Sequence, residues 1–178
     1  MQPNVSRSTL RPLSPFTALE RGEHLGRFRV RPCPTNDNPE KFVVIGDWAR
    51  KNLVQIALPA PIAAAEGADC AWFHRLVAPR FLELVDAWTE AGVVGDVIQW
   101  GGSYASRYIR GSRNKLSMHA FGAAFDINVP WNRLGHEPAP LGAQGSVLRL
   151  VDIAAEVGFC WGGSFRRCDG MHFEIARF

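Results

Sequence analysis

The side chains most able to do chemistry in this chain lie in two segments, one past the middle of the chain and one near its C-terminus. The first segment contains His119 and Asp126, and the second contains Asp169 and His172. Two imidazoles and one carboxylate can supply the three protein ligands of a catalytic zinc ion, which keeps one position open for water. The remaining carboxylate can act as a general base. This set of residue types therefore predicts a catalytic zinc site.

The pattern around these residues supports that prediction. Polar and apolar residues alternate on both sides of Asp126, and again around His172 and Glu174. Side chains of a strand alternate with a period of two, so the apolar residues can face a core while the polar ones face a cleft. If the two strands are neighbours in one sheet, Asp126 and His172 project from the same surface. A turn that pivots at Gly122 can then bring His119 over the same point.

Two motifs in these segments resemble a known family. Ser-x-His-x-x-Gly-x-Ala-x-Asp, followed by Trp-Gly-Gly and Asp-x-x-His-Phe-Glu, is similar to the zinc D,D-carboxypeptidase and L-alanyl-D-glutamate endopeptidase family of peptidoglycan peptidases. The resemblance covers residues 101–174 and implies the fold that this family shares with the signalling domain of hedgehog proteins. It implies His119, Asp126 and His172 as zinc ligands and Asp169 as the catalytic carboxylate.

The family also has an arginine before the first ligand, which holds a carbonyl or carboxylate of the substrate. Arg107 is the better candidate for this role and Arg110 is the second. The match is loose here, because Ser-Tyr-Ala-Ser-Arg replaces the family's more usual Gly-Tyr-Arg-Ser.

Two further residues are candidates for substrate contacts. Trp161 can form a wall for the apolar methyl groups of the substrate, and packing beside the glycines at 162–163 is an equally good interpretation. Ser117 lies near the predicted site, where it and Glu174 can orient a ligand imidazole through hydrogen bonds.

The resemblance implies hydrolysis of an amide bond in the stem peptide of peptidoglycan by water that zinc activates. L-Ala-D-Glu endopeptidase, D-Ala-D-Ala carboxypeptidase and dipeptidase activity all remain open, and the aspartate at position 169 slightly favours the endopeptidase. The alternative from another class is a non-catalytic zinc-containing domain that binds or recognises the cell wall. Such a domain needs the ligands, but it needs neither Asp169 nor the basic residues of 107–115.

Composition limits the other possibilities. The 178 residues suit one domain, with 47% hydrophobic and 21% charged residues. A formal charge of +3, with four basic residues in 107–115, suits the anionic wall polymer and its peptides as partners. With 17 acidic residues against 20 basic ones and no binding motif, we expect no nucleic-acid partner.

We also expect no membrane span, and residues 1–16 lack the apolar run of a signal peptide. The protein is therefore expected to be made in the cytoplasm and to act in the periplasm or cell wall after release by lysis machinery or delivery by a secretion system.

The chain divides into an extended N-terminal arm or linker over residues 1–40, which holds six of the twelve prolines, and a zinc peptidase domain over 41–178. Within the domain, apolar residues at three- and four-residue steps predict a long helix over 71–91, and a second helix is predicted over 146–157. Short strands around these helices predict an α+β fold, a mainly antiparallel sheet flanked by helices.

Overall fold

The protein combines short helices with antiparallel sheets, as predicted. The computed structural model describes residues 13–65 and 69–178. Its helices are α1 (Ala18–His24), α2 (Trp48–Asn52), α3 (Ala60–Ala63), α4 (Ala78–Glu90) and α5 (Leu148–Val157). Its strands are β1 (Arg29–Pro32), β2 (Phe42–Ile45), β3 (Leu53–Ala57), β4 (Cys70–His74), β5 (Trp100–Gly102), β6 (Ala124–Ile127), β7 (Phe159–Trp161) and β8 (His172–Ile175). In the described part of the chain, no helix combines the length and the apolar character needed to cross a membrane.

The central sheet has four strands in the order β5-β6-β8-β7, and every neighbouring pair is antiparallel. The predicted neighbours β6 and β8 are hydrogen-bonded to each other, with Asp126 opposite His172 and Ala124 opposite Glu174. Residues directly opposite each other in a ladder project from the same face. The predicted common surface for Asp126 and His172 is therefore confirmed.

The other face of this sheet packs on α4 and α5. Phe125 and Phe173 stack with ring centroids 5.5 Å apart, and Trp88 of α4 meets Phe173 edge-on at 6.1 Å. All three rings are fully buried. Helix α5 ends at Gly158, whose φ of +105° lies in the left-handed region that favours glycine.

The helix predicted over 71–91 is wrong in its first third. Residues 70–74 form strand β4, which pairs with β3, and α4 begins at Ala78. Ala71 and Phe73 are buried while Trp72 between them is exposed, which is the two-residue period of a strand. Pro79 lies in the first turn of α4, where its missing N–H does no harm. The apolar spacing matched a helix because Phe73 joins the same core as α4.

The extended arm predicted over 1–40 is also corrected in part. Residues 1–12 lie outside the described residues, but α1 and β1 fold onto the domain. Thr17 and Glu20 form a reciprocal capping box at the start of α1. Leu25 is buried in the main core, and Arg29 of β1 lies opposite Ile45 of β2. Burial of such apolar residues outweighs the proline content that favoured an extended arm.

Candidate metal centre and active site

Three side chains meet above the polar face of the central sheet. His119 Nε2 lies 3.2 Å from Asp126 Oδ1 and 3.1 Å from His172 Nδ1, and the last two atoms are 3.0 Å apart. Each residue offers one ligand atom, and all three atoms lie within 4.8 Å of one another. The structure thus brings together the three residues that the sequence predicts as ligands.

A single turn carries His119 to this point. His119 lies in a 3₁₀ turn over Met118–Phe121, which ends at Gly122 with a φ of +63°. A Cβ atom at Gly122 would lie 2.7 Å from the backbone nitrogen of His74, closer than packed atoms allow. Gly122 is therefore the predicted pivot for both its dihedral angle and its close contact with β4.

The outer ring nitrogens of both histidines have acceptors. His119 Nδ1 donates to the backbone carbonyl of Ser103 at 2.6 Å, and His172 Nε2 donates to Glu174 Oε2 at 2.8 Å. In a neutral imidazole, the nitrogen that lacks the proton carries the lone pair. When both imidazoles are neutral, the two inner nitrogens therefore present lone pairs to each other and to Asp126. Sequence reasoning identified Glu174 as an orienting residue but missed Ser103, because a backbone carbonyl leaves no signature in residue types.

This donor set fits a metal ion. Two lone pairs and a carboxylate oxygen repel one another at 3.0–3.2 Å unless a positive charge lies among them. Ligands of a tetrahedral zinc ion are ~3.3 Å apart, given metal–ligand bonds of ~2.0–2.1 Å, so these separations need only a small adjustment. The described residues can therefore hold a metal ion with three ligands.

The pKa values of the same residues also indicate that a positive charge is stabilised among them. Burial lowers the pKa of His172, but the hydrogen bonds and charges of Asp126 and Glu174 outweigh burial and raise it to about 10. Burial raises the pKa of Asp126, yet the charge of His119 and the hydrogen bonds of both histidines hold it well below its usual range. The metal-free protein thus keeps a proton on His172, between the inner ligand atoms.

Asp169 lies beside this group without belonging to it. Its backbone N–H donates to the carbonyl of Gly162 at 2.9 Å, and its own carbonyl accepts from the N–H of His172 at 3.1 Å. A Cβ atom at Gly162 would meet the carbonyl oxygen of Asp169 at 2.6 Å and Cβ of His172 at 3.1 Å. The absence of a side chain at Gly162 therefore lets both Asp169 and His172 lie close to the backbone that follows β7.

The carboxyl group of Asp169 has one buried oxygen without a partner and a raised pKa. Its Oδ1 atom is buried and has no hydrogen-bond partner among the described residues. Burial raises the pKa of Asp169, the nearby Asp126 raises it further, and the charges of His172, His119 and Arg107 oppose this rise. A carboxylate with a raised pKa and a free oxygen beside a metal centre is suited to accept a proton.

The two candidate arginines differ in their surroundings. Arg107 is half-buried, and although burial lowers the pKa of its guanidinium, the charges of Asp126 and Asp169 act on it in the opposite direction. Arg110 is exposed and forms an ion pair with Glu40 at 2.8 Å. Arg110 is thus engaged with Glu40, whereas the guanidinium of Arg107 donates to the backbone carbonyl of Tyr108 at 3.4 Å.

The other two residues predicted to contact the substrate, Ser117 and Trp161, form hydrogen bonds within the protein. Ser117 is buried, and its hydroxyl accepts from the backbone N–H of His119 at 3.3 Å, so it holds the turn and not the imidazole. Trp161 lies opposite Phe173 in the ladder, on the face away from His172. Its indole N–H donates to the carbonyl of Gly170 at 2.8 Å. These contacts match the packing interpretation of Trp161, and its role toward a substrate stays a prediction.

Comparison with known proteins adds a family match over part of the chain. Residues 110–175 match a family described as D-alanyl-D-alanine carboxypeptidase. The family resemblance predicted from the sequence is thus confirmed. The matched segment contains all three metal-ligand candidates and Asp169, and it begins just after Arg107. Neither a curated protein nor a solved structure matches the chain. The match supports a peptidase.

Proposed function

We propose that this protein is a zinc-dependent peptidase that hydrolyses an amide bond in the stem peptide of peptidoglycan. One observation carries the proposal: three ligand atoms converge beside a buried, unpartnered carboxylate oxygen of Asp169. His119, Asp126 and His172 would hold the ion. Zinc bound there would supply Lewis-acid chemistry. It would polarise a carbonyl and lower the pKa of water so that hydroxide forms at neutral pH.

In this proposal, the residues of the chain bind, orient and move protons. Asp169 accepts a proton from the attacking water and then delivers it to the departing amine, which suits a carboxyl group whose pKa is raised. Ser103 and Glu174 fix the two imidazoles so that their inner nitrogens point at one place.

The cationic side of the site belongs to Arg107. The charges of Asp126 and Asp169 favour the cationic form of its guanidinium. As a cation, this group can bind the carbonyl oxygen or a carboxylate of the substrate and stabilise the negative charge that grows there. The aspartate at position 169 favours the L-Ala-D-Glu endopeptidase over the D-Ala-D-Ala carboxypeptidase, as the resemblance implies.

Two wider features belong to this proposal as well. A hedgehog-like arrangement of the fold follows from the resemblance. An action in the periplasm or cell wall, after release or secretion by lysis or delivery machinery, follows from the substrate, which lies outside the cytoplasmic membrane.

The test is to incubate the protein with purified peptidoglycan and to identify released fragments by mass spectrometry. We expect cleavage at one stem-peptide bond, loss of cleavage after chelation, and recovery on adding zinc. The fragment masses distinguish L-Ala-D-Glu from D-Ala-D-Ala cleavage. Protein that binds both zinc and peptidoglycan yet releases no fragment would instead support the non-catalytic wall-binding alternative.

A further inference from the structure

One tryptophan of the protein is exposed where the other five are buried or half-buried. Trp72 has a fractional exposure of 46%. It lies in the middle of β4, its carbonyl accepts from the hydroxyl of Ser103 at 2.7 Å, and its neighbour across the ladder is Gln55. The backbone thus fixes this indole at the surface. A tryptophan ring combines a large apolar face with a polar N–H, which suits a ligand that is apolar on one side and polar at its edges.

Trp72 forms one side of a groove of about 430 Å³, which we call the Trp72 groove. It is lined by Ala49, Arg50, Leu53, Trp72 and Tyr104. The groove offers two aromatic rings with polar groups at its edge. The hydroxyl of Tyr104 lies 2.7 Å from that of Ser106, and the side chain of Arg50 is 78% exposed.

The Trp72 groove is joined to the metal centre by one short segment. Ser103 accepts the imidazole proton of His119, and Ala105 donates its N–H to the carbonyl of His119 at 3.1 Å. Tyr104 lies between these two residues and projects into the groove. Residues 103–105 therefore contact both the ligand candidate His119 and, through Tyr104, the Trp72 groove.

We propose that the Trp72 groove binds the amino-sugar rings of the peptidoglycan strand to which the stem peptide is attached. This inference rests on the proposed function. A pyranose ring has an apolar C–H face that packs on a flat aromatic ring, while its hydroxyl and acetamido groups need hydrogen-bonding partners. Trp72 and Tyr104 supply the rings. Beside the groove, Gln55 offers its amide oxygen, since its amide nitrogen donates to Cys70 Sγ at 2.8 Å. Arg50, whose guanidinium lies 3.7 Å from Asp47 at the surface, supplies a cation for the carboxylates of the strand or its peptide.

The probe is a peptide-free tetramer of β-1,4-linked N-acetylglucosamine, titrated into the full chain and followed by calorimetry. We expect saturable binding by the natural protein and at least about fivefold weaker binding by Trp72→Ala, because tryptophans in grooves often dominate binding energy. Trp72→Phe should retain part of the affinity. Phe178→Ala removes a ring of similar exposure, 43%, elsewhere on the surface and should bind as the natural protein does.

A second measurement compares hydrolysis of the strand-linked stem peptide with that of the free stem peptide. Trp72→Ala should lower the ratio of the two rates. Three results would each contradict binding of sugar rings in the Trp72 groove. These are absence of tetramer binding, equal binding by Trp72→Ala, and sedimentation showing that Trp72 instead joins two copies of the chain. Tetramer binding without any peptide hydrolysis would leave the groove standing and remove the proposed peptidase, so the two failures are distinguishable.

Discussion

The two faces of the central sheet are built from the same strands but differ in what stabilises them. One face is held by apolar contacts, and the other contains ionisable groups. On β8, Phe173 points into a stack with Phe125, while His172 and Glu174 on either side of it point to the metal centre. All three β8 residues are buried. The aromatic face owes its stability to apolar contact, which depends on neither pH nor ions. The polar face consists of ionisable groups whose lone pairs need a cation, so its state depends on both.

The largest expected effect is on turnover and concerns the carboxylate beside the polar face. Asp169→Asn removes the proton acceptor but none of the ligand atoms, so we expect turnover to fall by about 100- to 10,000-fold while the metal stays bound. Metal analysis and stem-peptide hydrolysis on the same sample test this. Asp86→Asn, on the exposed side of α4, is the matched control. Undiminished turnover in Asp169→Asn would remove Asp169 from the mechanism.

The aromatic face should show its importance in stability. Phe173→Ala opens a cavity between Phe125 and Trp88, and we expect it to lower the free energy of unfolding by about 3–5 kcal/mol. Urea denaturation of the metal-free protein measures the loss. The exposed Phe178→Ala should cost less than about 1 kcal/mol. Equal losses in the two variants would contradict the central place given to this stack.

A smaller effect is expected at Glu174. This residue is buried like its neighbour Phe173, but its carboxylate accepts a hydrogen bond from the ligand candidate His172. Glu174→Gln weakens the hold on the Nε2 proton of His172, and we expect metal affinity to fall by about 10- to 100-fold. Competition with a chelator gives the affinity. Glu156→Gln, an exposed glutamate of α5, should leave it unchanged. Unaltered affinity in Glu174→Gln would mean that the hydrogen bond does not orient the ligand.

The smallest expected effect is the change in metal affinity per pH unit. The pKa of His172 is raised to about 10 in the metal-free protein, so a metal ion that binds below this pH must displace a proton. Affinity should therefore rise by up to about tenfold per pH unit between pH 7 and 9, because each metal ion that binds releases the proton of His172. Affinity that stays flat from pH 6 to 9 would contradict this linkage.

The polar face could be predicted because its signal is local. Alternation around Asp126 and His172 needs only a few residues on each side, and Gly122 marks the turn that brings His119 to them. The pairing of β6 with β8 was a condition of that argument and only the structure shows it. The Ser103 carbonyl could not be predicted at all, because every residue has one.

The errors arose where one pattern suits two structures. Residues 71–91 carry apolar side chains that satisfy a helical spacing, although Phe73 reaches the core from a strand and Phe81 reaches it from α4. The N-terminal segment was misjudged because prolines are visible in a sequence while the partners of Leu25 and β1 are distant along the chain. Tertiary contacts decided both cases.

Gly162 allows an experiment that separates the identity of the reactive groups from their position. With a methyl group at this position, the loop backbone before β8 would have to move, taking the proton acceptor and one metal ligand with it. Gly162→Ala would leave every reactive atom in the chain and alter only their separation. Position 162 thus offers a means of measuring how much of the reaction depends on placement alone.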